Sequence, residues 1–134
     1  MEVATLSLSI TSREAMRVML VDDHEDSLIS VGRLLRLLGY DVRAERDGLR
    51  ALSCAEEFHP DVALIDLSLP GIDGCDVARR LRAQHATRDT WLVAMTGWAT
   101  EESASRTRDA GFDLHLVKPL SVHELTTAIS GGRG

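Results

Sequence analysis

The chain has 134 residues, 44% of them hydrophobic and 27% charged, and its formal net charge is -6. A chain of this length fits one domain with a buried core, and no apolar run approaches the roughly 20 residues that a membrane-spanning helix needs. An acidic chain without a basic stripe lacks the clustered cations that a nucleic-acid backbone requires, so we expect neither nucleic acid nor a membrane as a direct partner.

Neither end of the chain has a clear strand or helix pattern. Residues 1–15, "MEVATLSLSITSREA", contain no basic region followed by a clean apolar stretch, so we interpret them as an N-terminal arm or linker rather than a signal peptide. We therefore expect a cytoplasmic protein. One domain is predicted over residues 16–130, and residues 131–134 are predicted to form a C-terminal tail.

Five short apolar runs alternate with longer segments that have helical spacing. A strand followed by a helix, repeated five times, predicts an α/β domain whose parallel sheet carries helices on both faces. The strands are predicted at residues 17–21, 41–45, 62–66, 91–95 and 113–117.

Helix boundaries are clearest in the first and last helical segments. The first stops at Gly39, which suits a left-handed cap, and the last begins with Ser121 and Glu124 at capping-box spacing. The segment over residues 100–110 offers little beyond two alanines for burial, so this helix should be weakly held. One face of the first helix is predicted to consist of Leu28, Val31, Leu35 and Leu38.

Two of the predicted strands have the pattern of edge strands. Runs 17–21, 62–66 and 91–95 are apolar without a break apart from Arg17 and Asp66 at their ends, as expected of strands covered on both faces, whereas 41–45 carries charges and 113–117 alternates. This pattern agrees with the flavodoxin-like strand order 2-1-3-4-5. In such a sheet, ligands bind outside the carboxyl ends of the strands where the winding reverses, which here is between strands 1 and 3.

Polar side chains collect at the predicted carboxyl ends of four strands. Taken alone, the acidic pair after strand 1 could be helix caps, and the threonine after strand 4 could be an ordinary strand-end residue. The aspartate that closes strand 3 is different, because it follows a buried run where an unpaired charge is costly. The residues are Asp22 and Asp23 after strand 1, Asp66 closing strand 3, Thr96 and Gly97 after strand 4, and Lys118 after strand 5.

Electrostatics indicates that these carboxylates share a cation. Carboxylates about 4 Å apart repel each other by roughly 4 kcal/mol at an effective dielectric constant of 20. Three carboxylates, a backbone carbonyl and waters suit Mg²⁺, a hard ion that prefers oxygen ligands. Lys118 is the only lysine in the chain. Its ammonium beside such an ion would form an anion site suited to a phosphoryl group in transfer.

Four motifs occur in order along the chain: "VDDHEDS", "LIDLSLPGIDG", "MTG" and "VKP". In this order they resemble those of response-regulator receiver domains of two-component signalling, and the resemblance covers roughly residues 16–130. It implies that the chain is a signalling domain that catalyses only its own phosphorylation and dephosphorylation. The implied phosphodonor is a phosphohistidine on a sensor histidine kinase or a histidine phosphotransfer protein.

The resemblance also implies a role for each residue at the strand ends. Asp66 would be the phosphoacceptor, and the in-line attack would come from its carboxylate. Mg²⁺ would be held by Asp22, Asp23, Asp66 and the backbone carbonyl of Ser68. The phosphoryl oxygens would be bound by Thr96, Gly97 and Lys118.

Three residues near these motifs carry further expectations. The family often has an aromatic residue three positions before its lysine, where this chain has His115, so His115 is either a switch residue with Thr96 or an exposed edge residue without a role. Trp98 either covers the phosphoryl site or packs on its loop. The bond between Lys118 and Pro119 is predicted to be cis, because proline permits this at a cost of about 0.5–1 kcal/mol and the turn must aim the lysine at the pocket.

Competing functions fit the residues less well. A flavin binder of the same topology would place an anionic phosphate after strand 1, where this chain has "DDHED". A haloacid-dehalogenase-type phosphatase needs a DxD element there, and a P-loop enzyme needs GxxxxGK[ST], which the sequence lacks. The remaining alternative is a docking module with the receiver fold that works without phosphorylation.

Overall fold

The computed structural model describes residues 15–133, so residues 1–14 of the predicted arm and Gly134 of the predicted tail lie outside the described residues. Its centre is a five-stranded parallel sheet in the order β2-β1-β3-β4-β5. The strands are β1 (Arg17–Val21), β2 (Asp41–Glu45), β3 (Val62–Asp66), β4 (Trp91–Thr96) and β5 (Leu114–Val117). The predicted fold class, strand order and edge strands are confirmed.

Five α-helices connect and cover the strands. They are α1 (Glu25–Leu37), α2 (Gly48–Phe58), α3 (Gly74–Ala83), α4 (Glu101–Ala110) and α5 (Val122–Ser130). Short 3-10 helices lie at His85–Thr87 and Gly131–Arg133, so the described part of the predicted tail is a helical turn. No helix within residues 15–133 combines the length and the apolar character needed to cross a membrane.

Strand alternation divides the buried apolar residues into two cores, one on each face of the sheet. Met19 and Ile65 belong to the core that also contains buried residues of α2 and α3. Leu20 and Leu64 belong to the other core, which contains buried residues of α1 and α5. Because successive strand residues point to opposite faces and both faces are covered, all five residues of β3 are buried. β1 and β4 are buried except at their first residues.

Two strand bounds differ by one residue from the prediction. Thr96 is the last residue of β4 rather than the first after it. β5 begins at Leu114 rather than Asp113, whose carboxylate accepts a hydrogen bond from the backbone N–H of Leu92 at 2.9 Å. The Asp113 side chain also accepts one from Arg82 at 2.7 Å. The Asp113 side chain therefore binds the backbone of β4 at a position where the sequence pattern predicted only strand-to-strand backbone hydrogen bonds.

The predicted helix ends are largely confirmed. Helix α1 ends at Leu37, Leu38 is its C-cap, and Gly39 comes next with a φ of 99°, a conformation that favours glycine. Leu38 was predicted on the buried face, but it is 43% exposed, because the helix has already ended at Leu37. At α5, Ser121 and Glu124 exchange the two hydrogen bonds of a capping box. The predicted box is therefore present.

Helix α4 has few buried side chains. Only Thr107 and Ala110 of this helix are buried, while Ala104 is half-buried rather than fully covered. A helix with so little apolar burial has a small free energy holding it to the sheet. This agrees with the prediction of a weakly held helix beside the carboxyl end of β4.

Candidate functional site

The carboxyl ends of β1, β3 and β5 bring together three side chains that are far apart in sequence. Asp22 follows β1, Asp66 ends β3 and Lys118 follows β5. The Lys118 Nζ lies 2.8 Å from the Asp22 Oδ2 and 2.7 Å from the Asp66 Oδ2. The carboxylates are almost fully buried, with side-chain exposures of 3% and 4%. One ammonium thus joins two buried carboxylates across the centre of the sheet.

Local backbone contacts fix the position of the Asp66 carboxylate. Its Oδ1 accepts a hydrogen bond from the backbone N–H of Ser68 at 2.8 Å. The loop that follows packs closely on the start of α3, where a Cβ at Gly74 would lie 2.6 Å from the backbone oxygen of Asp66. Only glycine allows this approach without a shift of the backbone. The loop after β3 is therefore held close to Asp66.

Lys118 is held by the turn after β5. The bond between Lys118 and Pro119 is cis, as predicted. The backbone N–H of Lys118 donates to the backbone oxygen of Thr96 at 2.7 Å, which joins this turn to the end of β4. The side chain of the only lysine in the sequence is directed from this turn to the two buried carboxylates.

The acidic pair after β1 does not cap helix α1. The N-cap residue is His24, and no side chain makes a cap hydrogen bond there. Instead, the Asp22 Oδ1 accepts from the backbone N–H of His24 at 2.9 Å and lies 3.0 Å from the ring Nδ1. The Asp23 Oδ1 lies 3.2 Å from the same Nδ1, and this buried oxygen has no hydrogen bond. Both carboxylates are therefore directed to the site, and the capping interpretation is wrong.

The charges of the site shift the pKa values of its members. Burial alone would raise the pKa of Asp22, but hydrogen bonds from Lys118 and from the backbone and ring of His24 hold the pKa below its ordinary value. Burial would likewise lower the pKa of Lys118, but hydrogen bonds to Asp22 and Asp66 raise it. The pKa of His24 is raised by its hydrogen bond to Asp22 and by the charge of Asp23. These shifts favour charged forms of all three side chains.

The donor atoms at this site fit a divalent cation. Asp22, Asp23, His24 and Asp66 each offer one atom, and the four atoms lie within 4.8 Å of one another. The buried Asp23 Oδ1 without a hydrogen bond is an acceptor that a cation would satisfy. Carboxylate oxygens are ligands that Mg²⁺ prefers. The predicted contribution of the Ser68 carbonyl stays a prediction.

The residues after β4 form a groove beside the site. The hydroxyl of Thr96 donates to the backbone oxygen of Trp98 at 2.9 Å and accepts from the backbone N–H of Trp98 at 3.2 Å. The Trp98 side chain is 77% exposed, so it is not packed on its own loop. Gly97 is exposed with open space around its Cα. Thr96 and Trp98 line a groove of about 430 Å³ together with Ser68.

The expectation that His115 is exposed is wrong. The residue is half-buried, and its ring Nε2 is buried without a hydrogen bond. Burial lowers the pKa of this imidazole. Since His115 pairs with Ala94 in the sheet, and Ala94 is two residues from Thr96, the ring lies on the same face as Thr96. A role for His115 in a switch stays a prediction.

A family model for the response regulator receiver domain matches residues 18–130. The chain belongs to the response-regulator receiver family. This confirms the resemblance seen in the sequence motifs and identifies the chain as a signalling domain. The strand order is the one that the resemblance implied.

Individual relatives agree with this assignment of a receiver domain. The chain is 33% identical over 121 residues to the sensor protein EvgS of Escherichia coli, covering 90% of this chain but only 10% of that protein. It is 32% identical over 117 residues to the polar-differentiation response regulator DivK of Brucella ovis, covering 87% of this chain and 95% of that protein. This receiver domain therefore resembles both a nearly whole regulator and a small part of a sensor protein.

A solved structure of another receiver domain has a similar fold. The crystal structure of the receiver domain of the sensor histidine kinase PA1611 from Pseudomonas aeruginosa matches with a TM-score of 0.81 and 31% identity. The match covers 87% of this chain and 96% of that one. That neighbour has a magnesium ion coordinated in its active-site cleft.

Sequence reasoning assigned no role to His24. It identified the carboxylates from their positions at strand ends, but His24 was considered only as part of the acidic motif. The signal was its place directly after the Asp22–Asp23 pair, where the chain turns from β1 into α1. A side chain at that turn is close enough to the strand ends to reach the carboxylates.

The metal-free receiver domain is expected to gain thermal stability when Asp23 is replaced by alanine. The Asp23 carboxylate lies close to two other carboxylates, and its buried Oδ1 has no hydrogen bond, so its removal relieves repulsion. The melting temperature in EDTA should rise by a few degrees and should then respond less to added Mg²⁺.

Asp26→Ala provides the matched control at the same helix end. Asp26 is an exposed residue of the first turn of α1, where a negative charge is favourable. Its replacement should lower the melting temperature slightly. A lower melting temperature of metal-free Asp23→Ala would show that the carboxylate stabilises the fold by another interaction.

Proposed function

We propose that this receiver domain accepts a phosphoryl group from a phosphohistidine onto Asp66 and signals through the resulting change of conformation. The observation that carries the proposal is the pairing of the buried Asp66 carboxylate with the Lys118 ammonium at 2.7 Å. A buried carboxylate paired with an ammonium, in a site that also offers cation ligands, is suited to attack an anionic phosphoryl group. The same residues support Mg²⁺ as the cofactor.

The transfer step involves one bond formed and one bond broken. One oxygen of the Asp66 carboxylate attacks the phosphorus in line with the leaving imidazole. A P–O bond to Asp66 forms while the P–N bond to the donor breaks, and the imidazole leaves with the electron pair of that bond. Hydrolysis of the aspartyl phosphate by water returns the Asp66 carboxylate and completes the cycle.

Residues around Asp66 supply charge and position for this step. Asp22, Asp23, Asp66 and the Ser68 carbonyl would hold Mg²⁺, which when bound neutralises charge on the phosphoryl oxygens. The Ser68 N–H orients the carboxylate through its hydrogen bond to the Asp66 Oδ1. The Lys118 ammonium stabilises the negative charge that the phosphoryl group brings.

The residues after β4 would bind the transferred group and relay its arrival. The Thr96 hydroxyl would exchange its partner, the Trp98 carbonyl, for a phosphoryl oxygen, with Gly97 leaving space and a backbone N–H beside it. Movement of Thr96 would free space on the face of the sheet where His115 is half-buried. We propose Thr96 and His115 as the switch pair.

The partners proposed for this domain follow from the same chemistry. A sensor histidine kinase or a histidine phosphotransfer protein would supply the phosphohistidine. The likeness to a sensor protein and to the receiver domain of a sensor histidine kinase supports this class of donor. We place this phosphotransfer in the cytoplasm.

Phosphorylation in vitro tests the proposal. Incubation with acetyl phosphate and Mg²⁺ should add one phosphoryl group to the wild-type protein by intact mass spectrometry, and none in EDTA. Asp66→Asn should take none. Asp76→Asn, which alters a carboxylate that is 46% exposed on α3, should be phosphorylated like the wild type. If no donor phosphorylates the wild type, the docking module that works without phosphorylation becomes the better explanation.

A further inference from the structure

His24 occupies an unusual position for a helix N-cap residue. Its ring makes no cap hydrogen bond and instead extends over the carboxylate cluster. The Nδ1 lies 3.0 Å from the Asp22 Oδ1, 3.2 Å from the Asp23 Oδ1 and 4.0 Å from the Asp66 Oδ2. A single ring nitrogen is therefore close to one oxygen of every carboxylate at the site.

These separations match those of ligands around one small octahedral cation. Ligands at about 2.1 Å from such an ion are roughly 3.0 Å apart when adjacent and roughly 4.2 Å apart when opposite. The distances from the His24 Nδ1 to Asp22 and Asp23 correspond to adjacent positions. The distance to Asp66 corresponds to an opposite position.

Hydrogen bonding alone leaves this arrangement incomplete. The ring nitrogen carries at most one proton, and its contact with Asp22 uses it. The Asp23 Oδ1, 3.2 Å from the same nitrogen, stays buried without a hydrogen bond. A cation between these atoms would satisfy both oxygens and the nitrogen at once. The ring is 66% exposed, so an ion can reach it from solvent.

We propose that the His24 Nδ1 releases its proton to solvent when metal binds and then acts as a ligand, which makes this a mixed nitrogen and oxygen site for a divalent transition-metal ion. The inference rests on the metal site of the proposed function and adds a ligand to it. Imidazole suits ions such as Ni²⁺ and Co²⁺, whereas Mg²⁺ prefers oxygen. His24 therefore raises the affinity for the transition metals selectively, and it changes the affinity for Mg²⁺ little.

The change in selectivity on removal of His24 is the informative quantity, because almost any site with nitrogen and oxygen ligands binds Ni²⁺ more tightly than Mg²⁺. Isothermal titration with Ni²⁺ and with Mg²⁺ should be made on the wild type, His24→Asn and His24→Ala. Both variants should lose at least about tenfold in Ni²⁺ affinity, a loss typical of disturbed metal coordination. Their Mg²⁺ affinity should change by less than threefold.

His85→Asn is the matched control, since His85 is an exposed histidine in the 3-10 helix before β4, at the opposite end of that strand from the site. It should leave both affinities unchanged. Equal losses of Ni²⁺ and Mg²⁺ affinity in the His24 variants, or no loss of either, would overturn the proposal that His24 binds the metal.

Pulsed electron paramagnetic resonance provides a direct readout that does not depend on affinity. Mn²⁺ bound to the wild type should show coupling to a ring nitrogen, and this coupling should be absent in His24→Asn. Mn²⁺ bound without nitrogen coupling would refute the inference while leaving the proposed magnesium site intact. Nitrogen coupling in a protein that binds no Mg²⁺ would support His24 and contradict the proposed cofactor instead.

Discussion

Replacing Lys118 with alanine is expected to destabilise the metal-free domain by about 3–5 kcal/mol near neutral pH, the usual cost of removing one partner of a buried ion pair. The ammonium contacts Asp22 and Asp66 at 2.8 and 2.7 Å, and both side chains are almost fully buried. Without it, the two buried carboxylates lose the cation that donates a hydrogen bond to each of them. The expected loss is a large part of the roughly 5–15 kcal/mol that stabilises a typical domain.

The effect of Lys118→Ala should depend on pH in a direction set by the pKa shifts. Burial would raise the pKa of Asp22, but its hydrogen bonds outweigh burial and lower this pKa below the ordinary value of 3.8. The charged carboxylate therefore stabilises the fold at pH values above 3.8, and this stability is lost as pH falls through the folded pKa. Lys118 has a raised pKa, so its contribution is present below its ordinary value of 10.5 and is lost as pH rises through the folded pKa. The difference between the two proteins is therefore largest between these limits.

Urea denaturation in EDTA at neutral pH and at acid pH measures this difference. Arg79→Ala is the control, because Arg79 pairs with Asp76 at 3.0 Å while both side chains are about half exposed. Removing such a surface pair should cost no more than about 1 kcal/mol. Added Mg²⁺ should restore part of the stability of Lys118→Ala. Equal stability of Lys118→Ala and the wild type at neutral pH would contradict the role of the ammonium in holding the two carboxylates.

Most of the fold could be predicted because central parallel strands have a recognisable apolar sequence pattern. A strand covered on both faces is apolar along most of its length, and Val62–Asp66 is apolar up to its final aspartate and buried throughout. Helix ends were also readable where the backbone requires a particular residue. Gly39 adopts a positive φ, and Ser121 and Glu124 form a hydrogen-bonded cap.

The errors in the fold arose where side chains beyond the local pattern decide the structure. Helical periodicity assigned Leu38 to the buried face but could not indicate that the helix ends one residue earlier. Alternation assigned Asp113 to a strand, although its carboxylate binds Leu92 and Arg82 across the chain. Such partners depend on the assembled sheet, so no local window of sequence contains them.

The candidate site was predictable as a set of positions but not as a set of contacts. Strand ends at the reversal of winding must converge, which identified Asp66 and Lys118 as neighbours despite a sequence separation of 52. Side-chain rotamers decide the hydrogen bond from the Thr96 hydroxyl to the backbone oxygen of Trp98. They also decide the position of the His24 ring near three carboxylates. These choices are fixed by the local geometry of loops, which the motifs do not specify.

Replacing Lys118 with arginine is expected to retain the positive charge but to uncouple phosphorylation from the change of conformation. An ammonium is a compact charge on a flexible stem, whereas a guanidinium is planar and presents a rigid fork of donors. The Nζ meets one oxygen of Asp22 and one of Asp66 from a single point. A guanidinium would contact these oxygens from a different distance. Its contacts with a phosphoryl group would differ in the same way.

The coupling depends on how the turn after β5 responds to that contact. The backbone N–H of Lys118 is bonded to the Thr96 carbonyl at 2.7 Å, so a pull on the lysine side chain acts on a turn that is joined to β4. A side chain that binds the phosphoryl group without the same pull leaves the two conformations at their original populations.

Mass spectrometry and NMR together test this expectation for Lys118→Arg. The variant should still take one phosphoryl group on Asp66 from acetyl phosphate, at a lower rate than the wild type. Its chemical shifts across residues 96–118 should nevertheless stay near those of the unphosphorylated protein, while the wild type shows large changes there. Lys118→Ala, which lacks the charge, separates loss of the switch from loss of the reaction. If phosphorylated Lys118→Arg shows the full wild-type shift changes, then any cation at this position operates the switch, and the single lysine of this sequence has no special chemical role.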